Sequence, residues 1–297
     1  MKNNEILEEY LSKRKKLVKR LSLATLVIIS IAFLLTLVDK ENQIIAQISI
    51  EGIINDPTKT LKELKKIKDS PNVKALLVKV NSPGGTFVSS KDLYDKIKEI
   101  GSEIPVATYM REMATSGGYL VSLASQKIYS SSGTITGSIG VILQTAEVTT
   151  LLQKIGIKPI VIKSGDLKAT PNPLEIFDSS DEDYLKEIIG VMQSEFLGLV
   201  QKIRKLNKST ILKISDGRIF TGNQAVKLNL IDAVGSEDDA IEWLKNEASL
   251  EDNVKIINYS EETNYEKLIN LKFFDNKINA LQTKLYNGFL AIWIPNL

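Results

Sequence analysis

Val73-Lys-Ala-Leu-Leu-Val-Lys-Val80 runs into Asn81-Ser-Pro-Gly-Gly85 and, after Thr86, into Phe87-Val-Ser-Ser-Lys-Asp-Leu-Tyr-Asp-Lys-Ile-Lys-Glu-Ile100. The first part is an apolar, β-branched run of strand length. The last carries Leu93, Ile97 and Ile100 at helical spacing. A buried-looking strand, a glycine turn and an amphipathic helix make one α/β unit, and the pattern recurs on both sides of it. Strands are predicted at Ile44–Ile50, Val73–Val80, Val106–Met110, Lys127–Tyr129, Val141–Leu143 and Pro159–Ile162. Asp56-Pro57 reads as N-cap and first turn of a helix over Thr58–Lys68. A long helix is predicted from Asp181 to Leu206, opened by Ser179-x-x-Glu182 in capping-box spacing, with residues 167–178 as a loop before it. No low-complexity linker or repeat divides this body, so one domain is expected over residues 42–250.

The chain has 297 residues, 43% hydrophobic and 25% charged, enough for a sizeable core. It contains neither histidine nor cysteine, which excludes a Ser-His-Asp triad, a cysteine nucleophile, imidazole or thiolate metal sites and disulfides. Chemistry here must come from Ser, Thr, Lys, Tyr, Asp or Glu. The net charge of +2 gives no reason to expect nucleic acid as a partner.

The charge is unevenly placed. Residues 1–20 hold seven bases against three acids, and Leu21–Val38 follows as an uncharged run of 18 residues. As a helix this run is about 27 Å long, close to hydrocarbon thickness, and it exceeds a usual cleavable signal segment. Basic residues on its N-terminal side predict a cytoplasmic N-terminus of residues 1–20 and a single transmembrane anchor at 21–38. The body then lies on the extracytoplasmic side of a cell membrane. The tail, 251–297, spaces Phe274, Ile278, Leu281, Leu285, Phe289 and Trp293 as an amphipathic helix, packed on the body or a partner subunit or lying in the bilayer surface.

Three glycine-bearing segments stand out: Asn81–Gly85, Thr115-Ser-Gly-Gly-Tyr119 and Thr136-Gly-Ser-Ile-Gly140. The first follows a strand and precedes a helix, so its N–H groups can converge on an oxyanion, although Pro-Gly-Gly is most often only a tight turn. Ser116 sits after a strand at the start of a predicted helix, a position that suits an N-cap as well as a nucleophile. A nucleophilic serine without histidine needs a lysine or carboxylate base, and a lysine base must be desolvated or placed near another cation. The chain has 33 lysines and spacing alone does not choose among them. Lys168, in a loop after a predicted strand, is one candidate.

The ordered succession Asn81-Ser-Pro-Gly-Gly85, Ala114-Thr-Ser-Gly-Gly-Tyr119, Thr136-Gly-Ser-Ile-Gly-Val141, Lys163-Ser-Gly-x-x-Lys168, Asp216-Gly-Arg-x-Phe-Thr-Gly222 and Ala225-x-x-Leu-x-Leu-Ile-Asp232 resembles signal peptide peptidase A, also called protease IV, in its short form. The likeness runs from about residue 44 to 245. It implies a crotonase-like (Clp protease-like) fold and a membrane-anchored serine endopeptidase that degrades remnant signal peptides, with no cofactor. By position it implies Ser116 as nucleophile, Lys168 as general base, the N–H groups of Gly85 and Gly117 as the oxyanion hole, and Ser138 as support for the lysine. It also implies a homo-oligomeric ring in which Lys168 of one subunit completes Ser116 of the next. Thr115, Leu120 and Leu167 depart from the residues common at those positions, without removing a catalytic group. Two rivals are an acyl-CoA-processing enzyme of crotonase-like fold and a catalytically silent membrane scaffold.

Overall fold

The computed structural model describes Arg14, residues 19–23, 25–27, 29–30 and 43–260, and the backbone of Leu290–Ile292. The chain divides into two units, Met1–Ile44 and Ile45–Leu297.

In the first unit Arg14 and the described residues between 19 and 30 are helical. Among the described residues no helix is long and apolar enough to cross a membrane. The expected anchor at 21–38 is corrected on that finding, and with it the cell-membrane location, the topology and the membrane-lipid partner. Residues 31–38 lie outside the described residues.

The second unit is built on a sheet whose main path runs β6-β5-β3-β2-β1-β8. Its strands are β1 (Ile44–Ile54), β2 (Val73–Thr86), β3 (Val106–Thr115), β4 (Lys127–Ser130), β5 (Ile135–Gly137), β6 (Ile219–Thr221), β7 (Ala233–Val234), β8 (Lys255–Asn258) and β9 (Leu290–Ile292). The helices are α1 (Thr58–Lys68), α2 (Phe87–Ile100), α3 (Gly117–Ser122), α4 (Thr149–Lys154), α5 (Ser179–Arg204), α6 (Lys208–Ile214), α7 (Gly222–Lys227) and α8 (Glu237–Glu247). Strands β2, β3 and β4 are parallel, as connections through helices require. The β6 strand pairs antiparallel with β5, and β9 antiparallel with β2. The crotonase-like expectation is corrected accordingly: the fold is α/β with a mixed sheet.

Two strands are longer than their composition suggests. Both β2 and β3 continue past Val80 and Met110, with Ser82 opposite Ala114 after an irregularity in the register. Pro83-Gly84-Gly85 is therefore extended chain rather than a tight turn, since pairing to β3 up to Ser82 and to β9 from Gly84 overrides local turn preference. Along β3, β4 pairs with Ala107–Met110 and β5 then pairs with Met113–Thr115. That hand-over leaves the end of β3 clear of β4.

Expected strands at Val141–Leu143 and Pro159–Ile162 do not form. Val141–Leu143 keeps only an isolated bridge at Ile142, and Ile160 and Ile162 are 80% and 94% exposed. The tail helix predicted to span Phe274 to Trp293 falls outside the described residues except at Leu290–Ile292, which are strand. The long helix α5 is found as read, but its cap lies one residue before Ser179. Asp178 accepts from Ser180 and Asp181 N–H groups and completes a box with Asp181.

The core packs α8 and the sheet around Ile45, Leu77, Ala107 and Leu244. One charged brace crosses the interior. Arg204, at the end of α5, donates from Nε to the Asn229 carbonyl at 2.7 Å and from Nη1 to Asp232 Oδ2 at 3.1 Å. The same Oδ2 accepts from the Ile128 N–H at 2.8 Å. Arg204 is only 8% exposed, so removing its partner strands a buried charge. Asp232→Ala is expected to cost about 3 kcal/mol, read as a lowered urea midpoint with unchanged slope.

Candidate active site

Ser116 stands at the corner between β3 and α3. Its backbone lies at φ 52, ψ −117, in the left-handed half of conformational space that a serine seldom adopts. The corner is fixed from three sides. Ser116 N–H donates to the Gly137 carbonyl at 2.8 Å, the Ser116 carbonyl accepts from Leu120 N–H at 2.9 Å, and Thr136 Oγ1 donates to the Ala114 carbonyl at 2.7 Å. The hydroxyl itself makes no capping bond. Ser116 is 1% exposed, and its Oγ has no hydrogen-bond partner. A buried hydroxyl without a partner costs stability and contributes nothing to the fold.

Glycines crowd this corner because neighbouring backbone leaves no room for side chains. A Cβ on Gly118 would lie 2.9 Å from the Ser82 carbonyl oxygen, and one on Gly85 would lie 1.9 Å from the Ile54 oxygen. Gly84 has φ 103. The register that sets Ser82 opposite Ala114 brings the Pro83–Gly85 segment alongside the start of α3. Gly137 (φ 86) and Ser138 (φ 51) pass on the other side, where Ser138 N–H donates to the Arg218 carbonyl at 2.9 Å.

Behind α3, the fully buried Tyr119 donates from its hydroxyl to the Leu230 carbonyl at 2.8 Å. Burial pushes this phenol well above its ordinary range; nearby Arg204 lowers it in part and Asp232 raises it further. Tyr119 is thus a neutral anchor, holding α3 to the turn that also carries Asn229 and Asp232. This role, and those of Ser82 and Arg204, escape sequence reading because their partners are 25 to 111 residues away.

Of the residues singled out by sequence, Ser116, Gly117, Gly85 and Ser138 belong to strands and turns meeting at the end of β3. Lys168 is placed apart. It lies exposed in the excursion between β5 and α5, where its N–H donates to the Gly165 carbonyl at 3.0 Å. Among the described residues its ammonium makes no hydrogen bond or ion pair, and Ser116 Oγ has no partner. The excursion is itself apolar on the outside: Ile155, Ile160, Ile162 and Ile176 are all more than half exposed. Between this excursion and α5 lies a cavity of about 530 Å³, walled by Leu143, Phe177, Leu185 and Ile189. No group of three or more acidic side chains among the described residues could hold a metal ion.

Comparison with known proteins places this geometry in context. The profile of Peptidase family S49 matches residues 98–251. A protein of Enterococcus faecium named "Putative signal peptide peptidase SppA" is 34% identical over 236 residues, covering 75% of this chain and 68% of its own length. "Putative protease slr0021" of Synechocystis sp. is 37% identical over 209 residues, 70% of this chain and 75% of its own. "Protease 4" of Haemophilus influenzae is 28% identical over 260 residues, 81% of this chain but only 39% of its own length.

Proposed function

Because the chain belongs to peptidase family S49, and so to a family of serine hydrolases, we propose that it is an endopeptidase of the signal peptide peptidase A kind, acting through Ser116 and Lys168 within a protease body at residues 42–250. The observation that carries this reading is the Ser116 hydroxyl: buried, unpartnered and held in a strained corner, it has no structural task. Neutral lysine takes the Ser116 proton, Oγ attacks the peptide carbonyl, and the N–H groups of Gly85 and Gly117 stabilise the oxyanion. The lysine then gives the proton to the leaving amine, and water, deprotonated by the same lysine, releases the acyl group. Ser138 supports the ammonium form by hydrogen bonding. No cofactor enters these steps.

The exposure of Lys168 favours a base delivered by a second copy of the chain. Docking of the apolar excursion on a neighbour would bury Ile160, Ile162 and Ile176 and desolvate the lysine in the same step. The substrate is peptide. Remnant signal peptides came with the resemblance to a membrane-anchored enzyme and fall with the anchor, as the acyl-CoA rival falls with the crotonase-like class.

A fluorophosphonate probe tests the dyad directly. The expected result is a single adduct, mapped to Ser116 by mass spectrometry, absent in Ser116→Ala and strongly slowed in Lys168→Ala. An intact protein that is never labelled supports the silent-scaffold reading instead.

A further inference from the structure

Two glycines in succession, Gly84-Gly85, have no side chain to hold their conformation, yet an oxyanion donor must point in one direction before substrate arrives. The β9 ladder sets their extended course, and the direction of the individual amides needs a further anchor. Pro83 has no N–H, so the first amide available for anchoring is that of Gly84. It donates to Ser82 Oγ at 3.0 Å. The same Oγ donates to the Gly52 carbonyl at 2.6 Å, on β1. Ser82 is completely buried, and its backbone oxygen and Cβ form the wall against Gly118, with a Cβ there only 2.9 and 3.3 Å from them.

One residue therefore touches the three pieces whose relative placement makes the corner: β1 at Gly52, the glycine segment, and α3 at Gly118. On the reading that Gly85 N–H stabilises the oxyanion, we propose that Ser82 is a positioning residue, whose hydroxyl fixes the Gly84 amide and through it the direction of the Gly85 N–H. The hydroxyl satisfies its own hydrogen bonds within the chain, so it touches neither substrate nor the reacting atoms. Its effect falls on the transition state, where charge develops on the carbonyl oxygen, rather than on ground-state binding.

Ser82→Ala, assayed on an apolar fluorogenic peptide, is expected to lower kcat by about 10- to 100-fold with KM changed less than about threefold. Affinity for a peptide aldehyde, whose hemiacetal oxygen occupies the oxyanion position, falls in parallel with kcat. Affinity for the matching reduced-amide peptide, which develops no oxyanion, stays at the wild-type value. Ser125→Ala serves as control, since it breaks the buried Thr108–Ser125 bond of 2.7 Å away from the corner; it keeps wild-type kcat. If Ser82→Ala does not fold, Ser82→Cys keeps the volume with a poor hydrogen-bonding atom and gives the same readouts. Wild-type kcat and aldehyde affinity in a folded Ser82 variant, with Ser116→Ala inactive, overturn the positioning role alone. An active Ser116→Ala overturns the dyad on which it rests.

Discussion

Ser116→Ala and Lys168→Ala are each expected to lower peptide hydrolysis by about 10⁴-fold or more, and mixing the two inactive proteins is expected to restore it in part. Loss of either member of a nucleophile–base pair removes nearly the whole catalytic advantage, because neither acts without the other. Recovery on mixing follows from where the two residues lie. Ser116 is fixed at a corner of the sheet, and Lys168 projects from an exposed excursion that does not bond to it. In a random equimolar assembly with head-to-tail contacts, about a quarter of the sites pair an intact serine with an intact lysine from the neighbour. Rates are compared before and after co-refolding, with mixed assembly verified by native mass spectrometry. Mixed assemblies at the background rate would place both residues of each site in one chain. Both variants should remain folded: Ser116→Ala deletes a buried hydroxyl that has no partner, and Lys168→Ala alters an exposed side chain.

Gly85→Ala is the second large effect. The added methyl would stand 1.9 Å from the Ile54 carbonyl oxygen, a backbone atom that no rotamer change can move aside. The glycine segment must shift, and the donor N–H shifts with it. Losing one oxyanion donor typically costs about 10²–10³ in kcat, and the forced overlap adds about 1–3 kcal/mol of destabilisation. Both should appear together, in steady-state kinetics and in a thermal melt. Gly133→Ala is the contrast, since nothing lies within 4 Å of its added Cβ and neither quantity should change. A Gly85→Ala protein with wild-type kcat would remove this residue from the oxyanion site.

Much of this architecture can be read from local chemistry. Helices α1, α2 and α5 announce themselves by apolar spacing and by acidic or hydroxyl residues at their starts, and these are properties of a dozen adjacent residues. Where the reading fails, a distant partner decides. Pro83-Gly84-Gly85 looks like a turn but is held extended by β3 and β9, and the three-residue strands β5 and β6 exist only because they meet each other and β3. Pro159–Ile162 has strand composition but no neighbour to pair with among the described residues. Hydropathy and run length point to a membrane anchor, but among the described residues no helix is long and apolar enough to cross a membrane.

The site divides in the same way. Ser116, Gly117 and Gly85 are visible as motifs because glycine has few reasons to recur beside a serine. Ser82 is one hydroxyl among many until Gly52, 30 residues earlier, is seen to share it. Tyr119 and Arg204 become meaningful only when the chain returns at Asn229–Asp232.

The 26-residue helix α5 is about 39 Å long at ~1.5 Å per residue and buries only Leu185, Phe196, Val200 and Arg204. It is pinned at one end by the Arg204 brace, and the excursion bearing Lys168 joins it at the other. This is a lever arm: a tilt of about 5° at the pinned end carries the far end through about 3 Å. Productive catalytic geometry tolerates about 0.5 Å. The lever cannot supply that tolerance from its root; with Lys168 as the proposed base, the accuracy of proton transfer would be set where the excursion lands, by the proposed assembly rather than by the folded chain.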